Sequence, residues 1–351
     1  MTLPAPLRQT DRLDDFVLPS ELEASEPPEL RGLARSEVRL MVYEDGVIRH
    51  RRFDAVTGEL APGDLLIVNN SMTLPAAVDL DDSTVVHFST ELPGGFRVVE
   101  VRSRTDAGSE PNLSMSSGSI RLPDGADLEL LAPFPVDSAT RRLWVAHVKG
   151  GVEVEDVLRR HGRPITYTHA SRDLPLSFYQ TIFATEPGSA EMPGAGRPFS
   201  HDLVTSLVTH GVAIAPLTLH TGVSSLETGE PPYPEWYLVP ESTADLVNNS
   251  RQRGGRVIAV GTTVVRALET VTDSRGRTHG GSGWTDLVIE VDTPIRTIDG
   301  LVTGWHEPQS THLDMLVAVA GRDAVATSYE EALRVGYLWH EFGDSHLILC
   351  H

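Results

Sequence analysis

The 351-residue chain has a single cysteine, Cys350, so no intrachain disulfide can form and a reducing compartment is expected. The opening stretch MTLPAPLRQTDRLDDF lacks the apolar core of a signal peptide. No run of about 18 apolar residues occurs, so no membrane partner is expected and the protein reads as cytoplasmic. Cations are scarce: Lys plus Arg number 29 against 49 Asp plus Glu, a net charge of −20. That balance argues against a broad non-specific nucleic-acid surface, because phosphate binding rests on Lys and Arg, but it leaves room for a local basic patch. The motif G-x-x-x-x-G-K-[ST] is missing and no G-x-G-x-x-G follows a strand, which argues against ATP hydrolysis and nicotinamide chemistry. No G-x-S-x-G elbow supports a serine nucleophile. There is no thiol cluster. The groups His306/His312/Asp314 and His340/Asp344/His346 match no recognised zinc spacing, so no metal is expected. The N-x-S triplets at Asn69, Asn112 and Asn248 read as chance in an unsecreted chain.

What is present is enough for a sizeable core. The length suits two domains, and 40% hydrophobic with 22% charged residues suits a globular protein. Residues 1–35 are rich in Pro, Glu and Leu and show little periodicity. EVRLMVYEDGVIRHRRF reads as a β-hairpin turning at Glu44-Asp45-Gly46, and PGDLLIVNNS as a short buried strand. From Thr73 to about Gly151 come short alternating runs (STVVHFST, FRVVEVRS, SGSIRLPDGADLELLAP, RRLWVAHVKG), the pattern of a small barrel or sandwich. VEVEDVLRRHG is an amphipathic helix closed by Gly162. Beyond it, helices and strands alternate: FSHDLVTSLVTHG, VAIAPLTLHTG, STADLVNNSRQRGG, RVIAVGTT, VVRALETV and the predicted strand DLVIEV. MLVAVAG and SYEEALRVGYL are helical in pattern, and SHLILCH is a closing strand. The expected fold class is α/β: a mixed-sheet α/β domain of residues 1–72 and 152–351, with a small all-β barrel domain of 73–151 inserted. No internal repeat is visible.

In open α/β sheets, ligands sit beyond the carboxyl ends of the strands. The segments that follow the strands are Asn69-Asn70, His220-Thr221-Gly222, Gly261-Thr262-Thr263 with Arg266 behind, and Gly304-Trp305-His306. In GGRVIAVGTTVVRALET a strand runs through Gly261 directly into a helix, and either Thr262 or Thr263 can cap it. Such a turn offers free amides and a helix dipole to an anion. ATEPGSAEMPGAGRPF is a long Gly/Pro loop, a candidate lid.

Taken in order, these segments resemble one family, the S-adenosylmethionine:tRNA ribosyltransferase-isomerases of queuosine biosynthesis. The resemblance runs from about Asp14 to the C-terminus. It is strongest in PGDLLIVNNS, YQTIFATEPGSAEMPGAGRPF, LTLHTG, RVIAVGTTVVRALE, LVTGWHEPQSTHLDMLVAVAG and FGDSHLI. It implies an α/β domain with an inserted β-barrel, and a metal-free reaction with S-adenosylmethionine as cosubstrate. In that reaction the ribosyl group is moved to the aminomethyl group of a 7-deazaguanine in tRNA and rearranged to an epoxycyclopentane, and adenine and methionine leave. The sulfonium acidifies the neighbouring C5′ proton, so a base can begin the sequence.

The resemblance implies roles for matching positions. Asn69, Asn70, Gly261, Thr262 and Thr263 position the cosubstrate, with its carboxylate at the Gly261 turn. Gly188, Gly196, Gly222, Arg266, Ser310 and Thr311 complete that set. His220 and His306 are the acid/base candidates, since imidazole titrates near working pH. Glu235 orients an amine or the ribose hydroxyls. Arg266 also has a purely structural reading, an ion pair with Glu269 at i+3.

The chain departs from the family where chemistry is expected. N-N-T-R-V-I-P-A-R becomes NNSMTLPAA, with Met72 and Ala77 replacing both arginines. A-A-P-T-A-G-L-H-F becomes EMPGAGRPF, with Gly194, Arg197 and Pro198 in place of Thr, Leu and His. L-H-V-G-x-G-T-F becomes LHTGVSSL, H-S-E-Y becomes YPEWY with Tyr233 at the histidine, and F-H-L-P-E-S-T becomes WHEPQST with Gln309 at the glutamate. With the acidic charge, these changes weaken the expectation of a tRNA partner. They keep two alternatives open: a diverged enzyme acting on a small-molecule acceptor or as a lyase or hydrolase, and a non-catalytic binding homologue. Arg102, Arg104, Arg121, Arg141, Arg142 and Lys149 of the insert bear on the choice: on one face they favour tRNA, scattered they disfavour it. A monomer or homodimer is expected.

Overall fold

The computed structural model describes residues 16–105, 108–123, 125–135, 141–166, 174–223, 232–308 and 310–350. The chain enters through short 3-10 turns and forms the hairpin β1 (Arg39–Glu44) and β2 (Val47–Arg52). Its two turn residues, Asp45 and Gly46, both have positive φ, the geometry that matches strand twist. After a 3-10 segment, Phe53–Glu59, come β3 (Leu65–Asn69) and β4 (Ser71–Thr73). An antiparallel run follows: β5 (Ala77–Asp79), β6 (Thr84–Leu92), β7 (Phe96–Thr105), β8 (Gly108–Pro111), β9 (Gly118–Arg121), β10 (Asp127–Phe134) and β11 (Leu143–Lys149). Then come α1 (Val154–His161), β12 (Gly162–Arg163), β13 (Glu186–Ser189), α2 (His201–His210), β14 (Ala213–Leu219), β15 (Glu235–Val239) and α3 (Glu241–Gln252). The chain ends with β16 (Val257–Val260), α4 (Thr262–Thr270), β17 (Gly281–Thr285), β18 (Gly300–Thr303), α5 (Thr311–Ala320), α6 (Arg322–Val335) and β19 (Ser345–Leu349).

Nine strands make one mixed sheet in the order β17-β15-β14-β3-β16-β18-β19-β1-β2. Its centre, β14-β3-β16-β18, is parallel. Both faces are covered, which explains the unbroken apolar runs of these strands. Leu65, Ile67, Val257 and Ala259 enter the core beneath α3, α4, α5 and α6. Leu66, Val68, Ile258 and Val260 enter the core beneath α2 and the Phe53–Glu59 segment. Because four adjacent parallel strands end on one side, Asn69, His220, Gly261 and Gly304 emerge along one edge.

The second sheet runs β12-β5-β6-β7-β11-β10-β9, with β8 on β7, and every pairing in it is antiparallel. One face closes over Val86, Phe88, Val99, Leu128 and Trp144 with α1. The other packs Val85, Val98 and Leu143 against Ala190 and Val223.

Two local expectations are corrected. Gly162 ends α1 without the left-handed conformation, at φ −81 and ψ 152. Glycine is needed there for space, since a Cβ would lie 2.1 Å from the Pro75 carbonyl. DLVIEV, at 286–291, forms no strand; the strand is the glycine-rich β17 just before it. The Leu287 carbonyl is taken by the Arg266 guanidinium and its amide by Thr285, so the segment anchors an arginine rather than joining a ladder. Among the described residues no helix is long and apolar enough to cross a membrane.

Candidate active site

Gly261 links β16 to α4 at φ +99 and ψ 153, a region that essentially only glycine occupies. Its amide donates to the Val302 carbonyl (2.8 Å), so the turn is fixed from the neighbouring strand. The helix therefore starts at Gly261 with no side-chain cap, and Thr262 and Thr263 lie inside the first turn rather than capping it. The first amides of a helix lack intrahelical acceptors. Here they border a cavity of about 540 Å³, lined among others by Gly261, Thr262 and Thr263. That volume suits a small-molecule site.

Of the other residues singled out in the sequence, Gly222, Glu235, Arg266, His306, Ser310 and Thr311 also line the cavity. Asn69, Asn70, Gly188, Gly196 and His220 do not line it. Asn69 is a staple: its Oδ1 accepts from the amides of Ser71 (3.0 Å) and Leu219 (3.1 Å), and its Nδ2 donates to the Leu219 carbonyl (2.9 Å) and Thr263 Oγ1 (3.2 Å). The ends of β3 and β14 and the start of α4 are thus locked together. Asn70 Oδ1 accepts from Thr218 Oγ1 at 2.7 Å. His220 is bonded through Nδ1 to Ser71 Oγ (2.7 Å) and stacked on Trp236 at 5.2 Å. Burial first, then the charge of Arg97, lower its pKa to about 4. Gly188 passes so close that a Cβ would lie 2.6 Å from the His220 ring. These residues support the cavity from behind.

Arg266 does not pair with Glu269, contrary to the structural reading from the sequence. Glu269 Oε1 instead accepts from Thr297 and from the Arg296 and Thr297 amides. The guanidinium of Arg266 pairs with Glu235 and donates to the Leu287 carbonyl (3.0 Å) and the Tyr233 and Thr285 carbonyls (3.4 Å each). Glu235 also accepts from the Gly222 amide at 2.9 Å. Burial pushes the Glu235 carboxyl up, and Arg266 and that amide oppose the shift.

His306 is held on three sides. Its Nε2 meets Thr303 Oγ1 at 2.9 Å, its amide donates to Tyr329 Oη (3.1 Å), and its carbonyl accepts from Trp339 Nε1 (3.1 Å). Burial, reinforced by neighbouring imidazoles, puts its pKa well below the usual value, so the ring is neutral at working pH. The Gly/Pro loop walls the opposite side through Glu191, Met192, Pro193, Gly194 and Ala195. Ala195 rests where a Cβ on Gly261 would be 3.3 Å away. Within the loop Gly196 packs instead toward Thr181 and Phe183. Arg197 turns to Glu29 (2.9 Å), the Phe178 carbonyl (3.0 Å) and the Phe342 ring, a contact 168 residues distant that no local pattern reveals.

His312 also lines the cavity, with its ring stacked on His306. From the sequence it stood only as a metal candidate; its place in the first turn of α5, two residues after Ser310, was the available signal. Among the described residues no group of three or more His, Cys, Asp or Glu side chains is arranged to hold a metal. Gln309 lies outside the described residues.

Five of the insert's six named cations are paired with carboxylates: Arg102 and Arg142 are buried on Glu100, Arg104 pairs with Asp79, Arg121 with Asp127, and Lys149 with Glu129, while Arg141 is exposed.

A parallel-sheet edge, a glycine-started helix and a histidine held on three sides thus meet at one cavity. The model of the queuosine biosynthesis protein family matches residues 13–348. The chain belongs to that family. A relative from Gloeobacter violaceus, an S-adenosylmethionine:tRNA ribosyltransferase-isomerase, is 32% identical over 98% of both chains. One of the same name from Symbiobacterium thermophilum is 36% identical over 95% of this chain and 98% of its own. The crystal structure of an S-adenosylmethionine tRNA ribosyltransferase from Thermotoga maritima has a TM-score of 0.54 at 28% identity, covering 96% of this chain and 99% of that one. Within the queuosine family frame, the edge of β14, β3, β16 and β18 is where this chain places its cavity.

Proposed function

We propose that this chain is an S-adenosylmethionine:tRNA ribosyltransferase-isomerase that uses S-adenosylmethionine as ribosyl donor and releases adenine and methionine. The observation that carries this is the shared cavity of the Gly261–Thr263 helix start, the Glu235–Arg266 pair and neutral His306. The free amides of α4 receive the methionine carboxylate, by the dipole and hydrogen-bond argument for helix starts. Glu235, fixed by Arg266 and Gly222, orients the ribose hydroxyls or the acceptor amine. His306 is neutral, as a base acting on the C5′ proton must be before it takes one up. Gly222, Ser310 and Thr311 line the rest of the donor site, and Asn69, Asn70, Gly188, Gly196 and His220 hold its walls. Seven of the eight strands of the second sheet, β5 to β11, fall within the small barrel of residues 73–151, set into an α/β unit of 1–72 and 152–351 that lends it β12.

The pairing of five of the six named cations of the insert favours one second reading, a diverged enzyme with a small-molecule acceptor. Incubating the protein with S-adenosylmethionine, with and without tRNA carrying the 7-aminomethyl-7-deazaguanine, separates the two. Adenine and methionine released only with that tRNA establish the first reading. Release without tRNA establishes the second, and no release in either arm defeats both. In the productive arm His306→Ala is expected to slow release about a hundredfold, the usual weight of one acid/base group. An unchanged rate removes His306 from the chemistry.

A further inference from the structure

The rings of His306 and His312 lie 4.6 Å apart and within 10° of parallel. His306 is immobile, being bonded at its ring, amide and carbonyl. His312 is different. It is exposed, it lines the cavity, and it has no hydrogen-bond partner among the described residues. One of its faces is covered by His306; the rest of the ring is presented to the cavity. Ile289 and Met315 line the same space and add apolar wall.

We propose that the His306–His312 stack is a π platform on which a purine-type base lies, with His312 as the residue in contact. This rests on reading the cavity as the S-adenosylmethionine site. A parallel pair of imidazoles is stable only while it does not carry two charges. Burial with the neighbouring histidines holds His306 low, so the pair does not carry two charges. Fused heteroaromatic bases stack on such faces with little need for hydrogen-bond matching. Two rings of this chemistry belong to the proposed reaction: the adenine of the donor and the 7-deazaguanine of the acceptor.

The test is calorimetric binding of S-adenosylmethionine, adenosine and free 7-aminomethyl-7-deazaguanine to the wild type, His312→Ala and His312→Phe at neutral pH. His312→Ala is expected to weaken the stacked ring about tenfold, within the range for a lost base stack. His312→Phe, which keeps a flat face and loses both nitrogens, is expected to stay within about threefold. Parallel losses for S-adenosylmethionine and adenosine identify adenine as the occupant; a loss confined to the deazaguanine identifies the acceptor. The platform is overturned if His312→Ala matches the wild type for every ring that the wild type binds. It is equally overturned if His312→Phe loses as much as His312→Ala, since the nitrogens and not the face would then be in use. A wild type that binds none of the three removes the platform and the donor-site reading together, whereas binding unaffected by His312→Ala removes the platform alone.

Discussion

Arg266→Met is expected to destabilise the protein by about 3–5 kcal/mol and to abolish turnover, because it strands a buried carboxylate. Arg266 is 6% exposed, and its guanidinium serves Glu235 and three backbone carbonyls at once. Methionine keeps much of the volume and none of the donors. Glu235 then retains only the Gly222 amide, and the carbonyls of Tyr233, Thr285 and Leu287 lose a shared donor. Those carbonyls belong to the segments that bring Glu235 and Ile289 to the cavity, so binding falls with stability. The loss has a pH signature. Without Arg266 the Glu235 carboxyl rises further above its unfolded value, so the folded variant holds a proton that the unfolded chain releases. Stability of the variant therefore falls as pH rises through that window, and the deficit is smallest in acid. Urea unfolding of both proteins at several pH values reads this directly. A deficit below about 1 kcal/mol would place the pair in the class of weak surface bridges. Adding Glu235→Leu should return part of the lost stability, since the stranded charge goes with it.

How far the sequence reaches is visible in the same residues. A mixed α/β sheet was legible because strands and helices alternate along the chain, and the apolar runs of β3, β14 and β16 fit a sheet covered on both faces. The carboxyl-end rule pointed to the edge where Gly261, Thr262 and His306 line one cavity. Partnership was not legible. Glu269 stands three residues from Arg266 and Glu235 thirty-one before it, yet the distant one is bound, because β15 passes across α4 and Glu269 is drawn to Thr297. His220 follows its strand as a ligand-facing residue would, but the bond to Ser71 and the stack on Trp236 hold it behind the wall. β17 was hidden by its glycines, which make a strand only because β15 supplies the ladder. In each case the missing information is a contact between segments far apart in the chain.

Acid should unfold this protein early, and His346 is a principal reason. The ring is fully buried on β19, stacked on Trp305 at 4.7 Å and 8°, and neither of its nitrogens has a hydrogen-bond partner. Burial pushes its pKa to about 3, and His306 also lies well below the usual value. Both pKa values are lower folded than unfolded, so below about pH 6.5 the unfolded chain binds protons that the folded chain refuses. Stability from these two groups is complete above that pH and is lost as the pH falls toward the folded values. His346 contributes about 1.4 kcal/mol per pH unit, hence about 2 kcal/mol between pH 6.5 and 5, and His306 adds a loss of the same sign. His346→Phe keeps a ring against Trp305, removes both unpartnered nitrogens and cannot be protonated. It is expected to raise stability by about 1–3 kcal/mol at neutral pH, the range for relieving unsatisfied buried polar atoms. It should also remove the acid loss assigned to His346. Unfolding midpoints in urea at pH 7, 6 and 5 separate the two effects. A parallel shift at every pH would mean that relief of the unpartnered nitrogens acts alone, and an unchanged curve would mean that the folded chain admits water to His346. Because Trp305 and His306 adjoin the same cavity, the wild type should lose S-adenosylmethionine binding along with the fold as acid charges these rings, while the phenylalanine variant holds its ligand to lower pH.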